Sequence, residues 1–257
     1  MFIDSHCHID FPELSGNLDQ LLENMRAAQV THALCVSVNL TDWPRVLNLA
    51  ESHSNLFASV GVHPDQSVDE TEPSEQDITG RADHPRIIAI GETGLDYYRL
   101  TGDLNWQRNR FRTHIRAARS CGKPLIIHTR AASEDTVAIM REENAGQPGG
   151  VMHCFTETWE VAKAALDLGF YISFSGIITF RNAADLREVV RQVPLNQMLI
   201  ETDSPYLAPV PYRGKTNQPA YVREVAASVS QIRNVPLEVV ANTTTENFFR
   251  LFSHANA

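Results

Sequence analysis

Hydrophobic positions along the chain follow two alternating periods. A first strand opens the chain at 3–8, and short, largely apolar runs, many of them β-branched, follow at 33–38, 57–62, 87–90, 124–128, 149–153, 170–174 and 198–201. Runs of this length that do not alternate with polar residues predict strands buried on both faces, as in parallel sheets. Between them lie stripes at helical spacing. Leu18, Leu21, Leu22 and Met25 form the first, and Thr41-Asp42-Trp43-Pro44 opens the second, with a polar cap candidate ahead of a proline tolerated in the first turn. A longer stripe runs through Leu104, Phe111, Ile115 and Ala118 and ends near Gly122, and another helix is expected at 133–141. Val161, Ala164, Ala165 and Leu168 make a further stripe, as do Leu186, Val189, Val190 and Val193. Two helices close the chain, through Val222, Val225, Val229 and Ile232 and through Leu237, Val240 and Phe248. The acidic stretch 69–77 reads as a loop and a solvated helix face.

Eight strands alternating with helices predict an α/β fold, a (β/α)8 TIM barrel forming a single domain over residues 1–257. A doubly wound open sheet is the alternative, and the placement of polar residues decides between them. His8, His63, Glu92, His128, His153 and Asp203 each fall at the C-terminal end of a predicted strand. A barrel gathers those ends on one rim, where such folds build their active sites, whereas an open sheet strings them along a line.

Composition narrows the function. A length of 257 residues with 43% hydrophobic content supports a sizeable core. The formal charge of −9 argues against a broad basic surface gripping duplex phosphates, although bound metal ions would reverse the field locally. The start of the chain carries no signal-peptide pattern and no apolar run spans a bilayer, so a soluble cytoplasmic protein without membrane partners is expected. No obligate protein partner is evident. Cys7, Cys35, Cys121 and Cys154 show neither C-x-x-C spacing nor the density of a disulfide framework, and read as reduced, mostly buried thiols.

The chemistry begins at Ile3-Asp4-Ser5-His6-Cys7-His8. Alternation along a strand places His6 and His8 on one side and turns Cys7 away. A lone His-x-His is a weak signal, and a single strand-end histidine is more often a hydrogen-bonded rim residue than a ligand. Six candidates at one topological level, His6, His8, Glu92, His128, His153 and Asp203, are harder to treat as coincidence. Four imidazoles and two carboxylates suit Zn²⁺, Mn²⁺, iron or, less comfortably, Mg²⁺. Six ligands exceed what one ion needs, so two divalent metal ions sharing a carboxylate is the better count.

These residues closely resemble the TatD family of metal-dependent hydrolases among the amidohydrolase-type barrels, particularly its YcfH-like branch. The likeness runs through Asp4-Ser5-His6-Cys7-His8, Gly61-Val62-His63-Pro64, Gly91-Glu92-Thr93-Gly94-Leu95-Asp96, His128-Thr129-Arg130, His153-Cys154-Phe155 and Glu201-Thr202-Asp203-Ser204-Pro205. The resemblance implies that His6, His8 and Asp203 hold one metal, His128 and His153 the other, and Glu92 bridges them. It further implies a hydrolase, with 3′-5′ deoxyribonuclease action on single-stranded DNA or another phosphodiester as the leading expectation. Asp203 and Glu92 are the expected catalytic carboxylates, and His63 and Arg130 the candidates to contact a phosphate. Tyr97, Tyr98, Tyr206 and Tyr212 could stack bases or merely pack their loops. Two other readings stand beside this one: hydrolysis of a small-molecule or aminoacyl ester, amide or lactone, and a non-catalytic scaffold stabilised by metal.

Overall fold

The computed structural model describes residues 1–66 and 72–256. Its eight strands are β1 (Phe2–Cys7), β2 (Val30–Cys35), β3 (Leu56–Val60), β4 (Ile87–Asp96), β5 (Leu125–Arg130), β6 (Gly150–Met152), β7 (Tyr171–Phe174) and β8 (Met198–Ile200). They pair in parallel in chain order. A bridge from Cys7 to Ser204 brings the last strand round to the first, so the sheet is a nearly closed (β/α)8 barrel rather than an open doubly wound sheet. Around it run α1 (Pro12–Ser15), α2 (Leu18–Ala27), α3 (Trp43–Ser52), α4 (Glu75–Ala82), α5 (Asn105–Cys121), α6 (Ser133–Glu142), α7 (Trp159–Leu166), α8 (Ala184–Gln192), α9 (Val222–Arg233) and α10 (Leu237–Leu251). No described helix is long and apolar enough to cross a membrane.

Each strand is buried on both faces because its alternate residues serve two cores. Ile3, Leu34, Phe57, Ile88, Ile126, Val151 and Leu199 fill the barrel, with Phe248 of α10 and Phe252 just after it packed beneath them. Ala33, Cys35, Leu56, Ala58, Ile87, Leu125 and Ile127 face the helices instead. This double burial is why the strands read as unbroken apolar runs.

Helix boundaries show where side-chain chemistry acted and where it did not. Of the acidic stretch, residues 69–71 lie outside the described residues. Beyond them Ser74 and Asp77 form a reciprocal capping box that starts α4. Gly122 takes a left-handed conformation at the end of α5, as expected of a residue without a Cβ. A polar residue is expected to cap α3, and Asp42 occupies the N-cap position but makes no capping bond with its side chain. Its backbone N–H donates to Asn39 Oδ1 at 2.6 Å instead, so Asn39 organises that turn.

Two β-bulges position the site. On β1, Asp4 pairs with Ala33 and Cys7 with Cys35, so three steps on one strand match two on the other. Ser5 faces into the barrel, where its Oγ lies 3.2 Å from Ser173 Oγ, and strict alternation would turn His6 outward. The extra residue keeps His6 inside and rotates Cys7 toward the carbonyl of Leu34 at 3.3 Å. On β4, Ile90 pairs with Leu125 and Thr93 with Ile127, a second bulge that spans Gly91 and Glu92. Glu92 therefore lies within β4, which runs on to Asp96, rather than at a strand end. A Cβ on Gly61 would fall 2.5 Å from the carbonyl carbon of Gly91, so only glycine allows β3 to approach the bulge this closely.

Candidate metal centre

Glu92 is the hub of the site and is 3% exposed. Its Oε2 lies 3.3 Å from His6 Nε2. Its Oε1 lies 3.2 Å from His63 Nε2, 3.1 Å from His128 Nδ1 and 2.8 Å from His153 Nε2. Asp203 Oδ1 sits 3.5 Å from His8 Nε2 and 3.7 Å from His6 Nε2, and the two Nε2 atoms are themselves 3.3 Å apart. All six expected ligands meet in one cluster.

Most of the rings are fixed by a partner on the nitrogen facing away from the centre. His8 Nδ1 lies 3.0 Å from the carbonyl oxygen of Val36, which makes that nitrogen the donor and leaves the Nε2 lone pair facing inward. Carboxylates do the same work elsewhere. Glu201 Oε1 stands 3.1 Å from His153 Nδ1, Asp96 Oδ2 stands 3.2 Å from His128 Nε2, and Asp65 contacts His63 Nδ1. Such carboxylate-backed imidazoles are the usual support of metal ligands, because they set the tautomer and raise ring basicity.

The electrostatics favour added positive charge. Burial would raise the pKa of Glu92, but the charges on His153 and His63 and the close imidazoles of His128 and His153 hold it well below the usual range. Burial would lower His63, yet Glu92 and Asp65 outweigh it and lift the imidazole to about 9. His153 is raised well above its ordinary value for the same reason, with Glu92 and Glu201 as its partners. Burial would also raise Asp203, which a hydrogen bond from His8 and the charges on His6 and His153 keep low.

The side chains fit divalent cations. His6 with His8 and Asp203, His63 with Glu92 and His128, and His6 with His153 and Glu201 each present three donor atoms within 4.8 Å of one another. The buried His153 Nε2 makes no hydrogen bond despite its closeness to Glu92, which suits a lone pair directed at an ion. Nitrogen with hard oxygen is the donor chemistry of Zn²⁺ and Mn²⁺.

Barrel closure builds part of this centre. The Asp203 N–H donates to the His6 carbonyl at 3.0 Å, and the His8 N–H donates to the Ser204 carbonyl at 2.8 Å. Beneath them the buried Asp4 accepts the Thr202 N–H at 2.8 Å and the His6 N–H at 3.3 Å. Asp203 itself adopts φ +55°, a left-handed conformation uncommon outside glycine and held here by these bonds.

The cluster forms the floor of a cavity of about 530 Å³ whose walls include Phe11, Asp65, Arg99, Arg130, Ile177 and Tyr206. Of the two expected phosphate contacts, His63 lies inside the cluster, whereas Arg130 lies on the wall with its guanidinium 4.0 Å from the ring centre of Tyr98. The four loop tyrosines divide evenly. The Tyr97 hydroxyl bonds to Asp135 at 2.6 Å, and Tyr212 stacks on Tyr221 at 3.8 Å, so these two pack their loops. Tyr98 and Tyr206 are exposed. Cys154 follows His153 and lies 3.2 Å from Ser175 Oγ, with burial pushing its thiol well up, as befits an inert thiol rather than a nucleophile.

Sequence reasoning missed a polar face on α5. Gln107, Arg110 and His114 are buried beside the apolar stripe. Gln107 accepts the Asp96 N–H at 2.9 Å and donates to the Pro64 carbonyl at 2.9 Å. Arg110 donates to the carbonyls of His63 at 3.1 Å and Gln66 at 3.0 Å, and His114 Nε2 accepts the Val62 N–H at 3.0 Å. One helix face thus grips the loop bearing His63 and Asp65 and the strand end bearing Asp96. The signal was present as three polar residues at spacings of three and four, on the side of the helix that should be apolar. Glu201 and Asp65 were also readable, since each stands two residues from another site residue.

Comparison with known proteins agrees with this geometry. The family profile described as "TatD related DNase" matches residues 3–253. The chain is 46% identical over 254 residues to an Escherichia coli (strain K12) protein named uncharacterized metal-dependent hydrolase YcfH, covering 97% of this chain and 95% of that one. It is 31% identical over 257 residues to the Enterobacter lignolyticus (strain SCF1) protein named 3'-5' ssDNA/RNA exonuclease TatD, covering 98% and 99% respectively. The crystal structure of YJJV, a TATD homolog from Escherichia coli K12, superimposes with a TM-score of 0.91 at 28% identity, covering 98% of both chains. With a family match across almost the whole chain and a carboxylate-centred histidine cluster at the mouth of an eight-stranded barrel, the chain belongs to the TatD family of metal-dependent hydrolases.

Proposed function

We propose that the protein is a divalent-metal-dependent phosphodiesterase acting as a 3′-5′ exonuclease on single-stranded DNA. The observation that carries this reading is the shared position of Glu92, one oxygen toward His6 and the other toward His63, His128 and His153. That arrangement suits a carboxylate bridging two cations. His6, His8 and Asp203 would hold one of them, and His128 and His153 the other. A bound pair supplies water of lowered pKa and neutralises charge on the phosphoryl oxygens.

The remaining work belongs to the protein. Asp203 orients the attacking water and takes its proton, a role suited to a carboxylate kept ionised at neutral pH. Arg130 presents a planar fork to a phosphate at the cavity wall. His63, its two ring nitrogens tied to Asp65 and Glu92, adds positive charge beneath the phosphate rather than a direct contact. The exonuclease name of the Enterobacter relative supports a nucleic-acid substrate. A small-molecule or aminoacyl ester or lactone is the second reading, favoured by the net charge of −9, which opposes binding of a long polyanion.

The deciding experiment strips the metal, restores Mg²⁺, Mn²⁺ or Zn²⁺, and follows 3′- and 5′-labelled single-stranded DNA beside a panel of esters and lactones. Metal-dependent release of mononucleotides from the 3′ end, lost in Asp203→Asn, is the expected result. Carbonyl hydrolysis without DNA cleavage would keep the site and replace the substrate.

A further inference from the structure

The two exposed tyrosines lie on different sides of the metal cluster. Tyr98 follows β4 and is backed by Arg130 at the end of β5, while Tyr206 follows β8 and meets Phe11, which follows β1. In a ring of eight strands in chain order, the β4/β5 side lies across the mouth from the β8/β1 side. The two positions therefore lie on opposite sides of the mouth: Phe11 and Tyr206 line the cavity on one side, and Arg130 lines it on the other with Tyr98 stacked against its guanidinium.

Each position is built to present a flat group. Tyr98 is 67% exposed and Tyr206 is 52% exposed, unusual for large aromatic side chains with no loop-packing role. Arg130 stacks against Tyr98 and pairs with no acidic group among the described residues. Its neighbour Arg99, by contrast, is engaged by Asp65 and Asp96. Phe11 stacks on His8 with ring centres 4.8 Å apart and meets Tyr206 edge-on at 6.3 Å, which couples that position to a metal ligand.

We propose that the substrate straddles the cluster with one base on each side of the scissile phosphate, one stacked on the Arg130 guanidinium that Tyr98 supports and the other at Tyr206–Phe11. This inference rests on the phosphodiesterase reading. Stacking accepts any base but needs one of its faces free of a duplex neighbour, so the smallest good substrate is a dinucleotide and duplex DNA is a poor one.

The test uses metal-loaded protein and three substrates: thymidylyl-thymidine and two analogues, each lacking one of its bases. Tyr98→Ala and Tyr206→Ala should each raise KM for the dinucleotide by roughly tenfold with kcat little changed. Tyr98→Phe and Tyr206→Phe should keep the original KM. Each alanine effect should vanish on the analogue lacking the base stacked there, and the two variants should point to different analogues. An unchanged KM in both alanine variants, or both effects vanishing on the same analogue, overturns the two-sided arrangement while leaving the phosphodiesterase intact. Absence of metal-dependent cleavage of the dinucleotide and of single-stranded DNA by the unmodified protein overturns the underlying reading, and this inference with it.

Discussion

At the scale of single residues, the site depends on what stands behind each histidine. An imidazole offers one lone pair at a time, and the group on its outer nitrogen decides which nitrogen carries it. Glu201 does this for His153 and also accepts the Cys154 N–H at 2.7 Å. Glu201→Gln preserves shape but removes the charge, and should weaken metal binding about 10- to 100-fold, as changes to such supporting groups generally do. Titration calorimetry of the stripped protein measures this directly, and unaltered affinity would show Glu201 to be a structural partner only. Asp203→Asn should lower kcat by about 10² to 10⁴, the range of a general base, with metal content by atomic emission largely retained. Full activity on the true substrate would assign the base elsewhere.

At the scale of elements, α5 is the least expected component. A stripe of Leu104, Phe111, Ile115 and Ala118 marks it as an ordinary amphipathic helix, and that part of the pattern holds. The polar side chains next to the stripe escaped a reading by hydrophobic period because their partners are backbone groups of loops remote in sequence. Gln107→Leu would leave the Asp96 N–H and the Pro64 carbonyl without this partner, and should cost at least about 2 kcal/mol in urea unfolding. A smaller change would mean that water replaces the glutamine.

His114 adds a pH dependence with a defined sign. Burial holds its imidazole down at about 4, against an ordinary 6.5. Between those values the unfolded chain takes a proton that the folded chain refuses, so stability is full above 6.5 and declines as pH falls toward 4. The loss approaches about 3 kcal/mol once both states are protonated. Urea midpoints at about pH 7 and about pH 5 should separate more in the original protein than in His114→Gln. Equal separation would place the titration elsewhere.

At the scale of the whole molecule, the two ends of the barrel divide the labour. Phe248 of α10 and Phe252 just after it seal the end away from the candidate metal centre. Phe248→Ala should cost about 3 to 5 kcal/mol of stability, read from the thermal midpoint, while the folded protein keeps its kcat and metal affinity. A change in turnover would couple the two ends through the lumen. At the other end, closing the barrel also assembles three of the candidate ligands, because the hydrogen bonds joining β1 to the segment after β8 bring Asp203 to His6 and His8.

That coincidence separates what could be read in the chain from what only folding decides. The eight runs, the helical stripes and the level of His6, His8, Glu92, His128, His153 and Asp203 follow from local pattern, because periodicity and strand-end position are properties of neighbours in sequence. The amino-acid sequence by itself therefore determined the barrel, the ligand types and the rim on which they gather. The tertiary structure alone decided the rest. It set the bulges that turn His6 and Glu92 inward, placed Asp65, Asp96 and Glu201 behind their histidines, and gave α5 its grip on the His63 loop. It also drew Tyr97 and Tyr212 into packing while leaving Tyr98 and Tyr206 exposed. Each of these rests on register or on contact between segments distant in the chain, and a one-residue shift in register reverses the face of every side chain that follows.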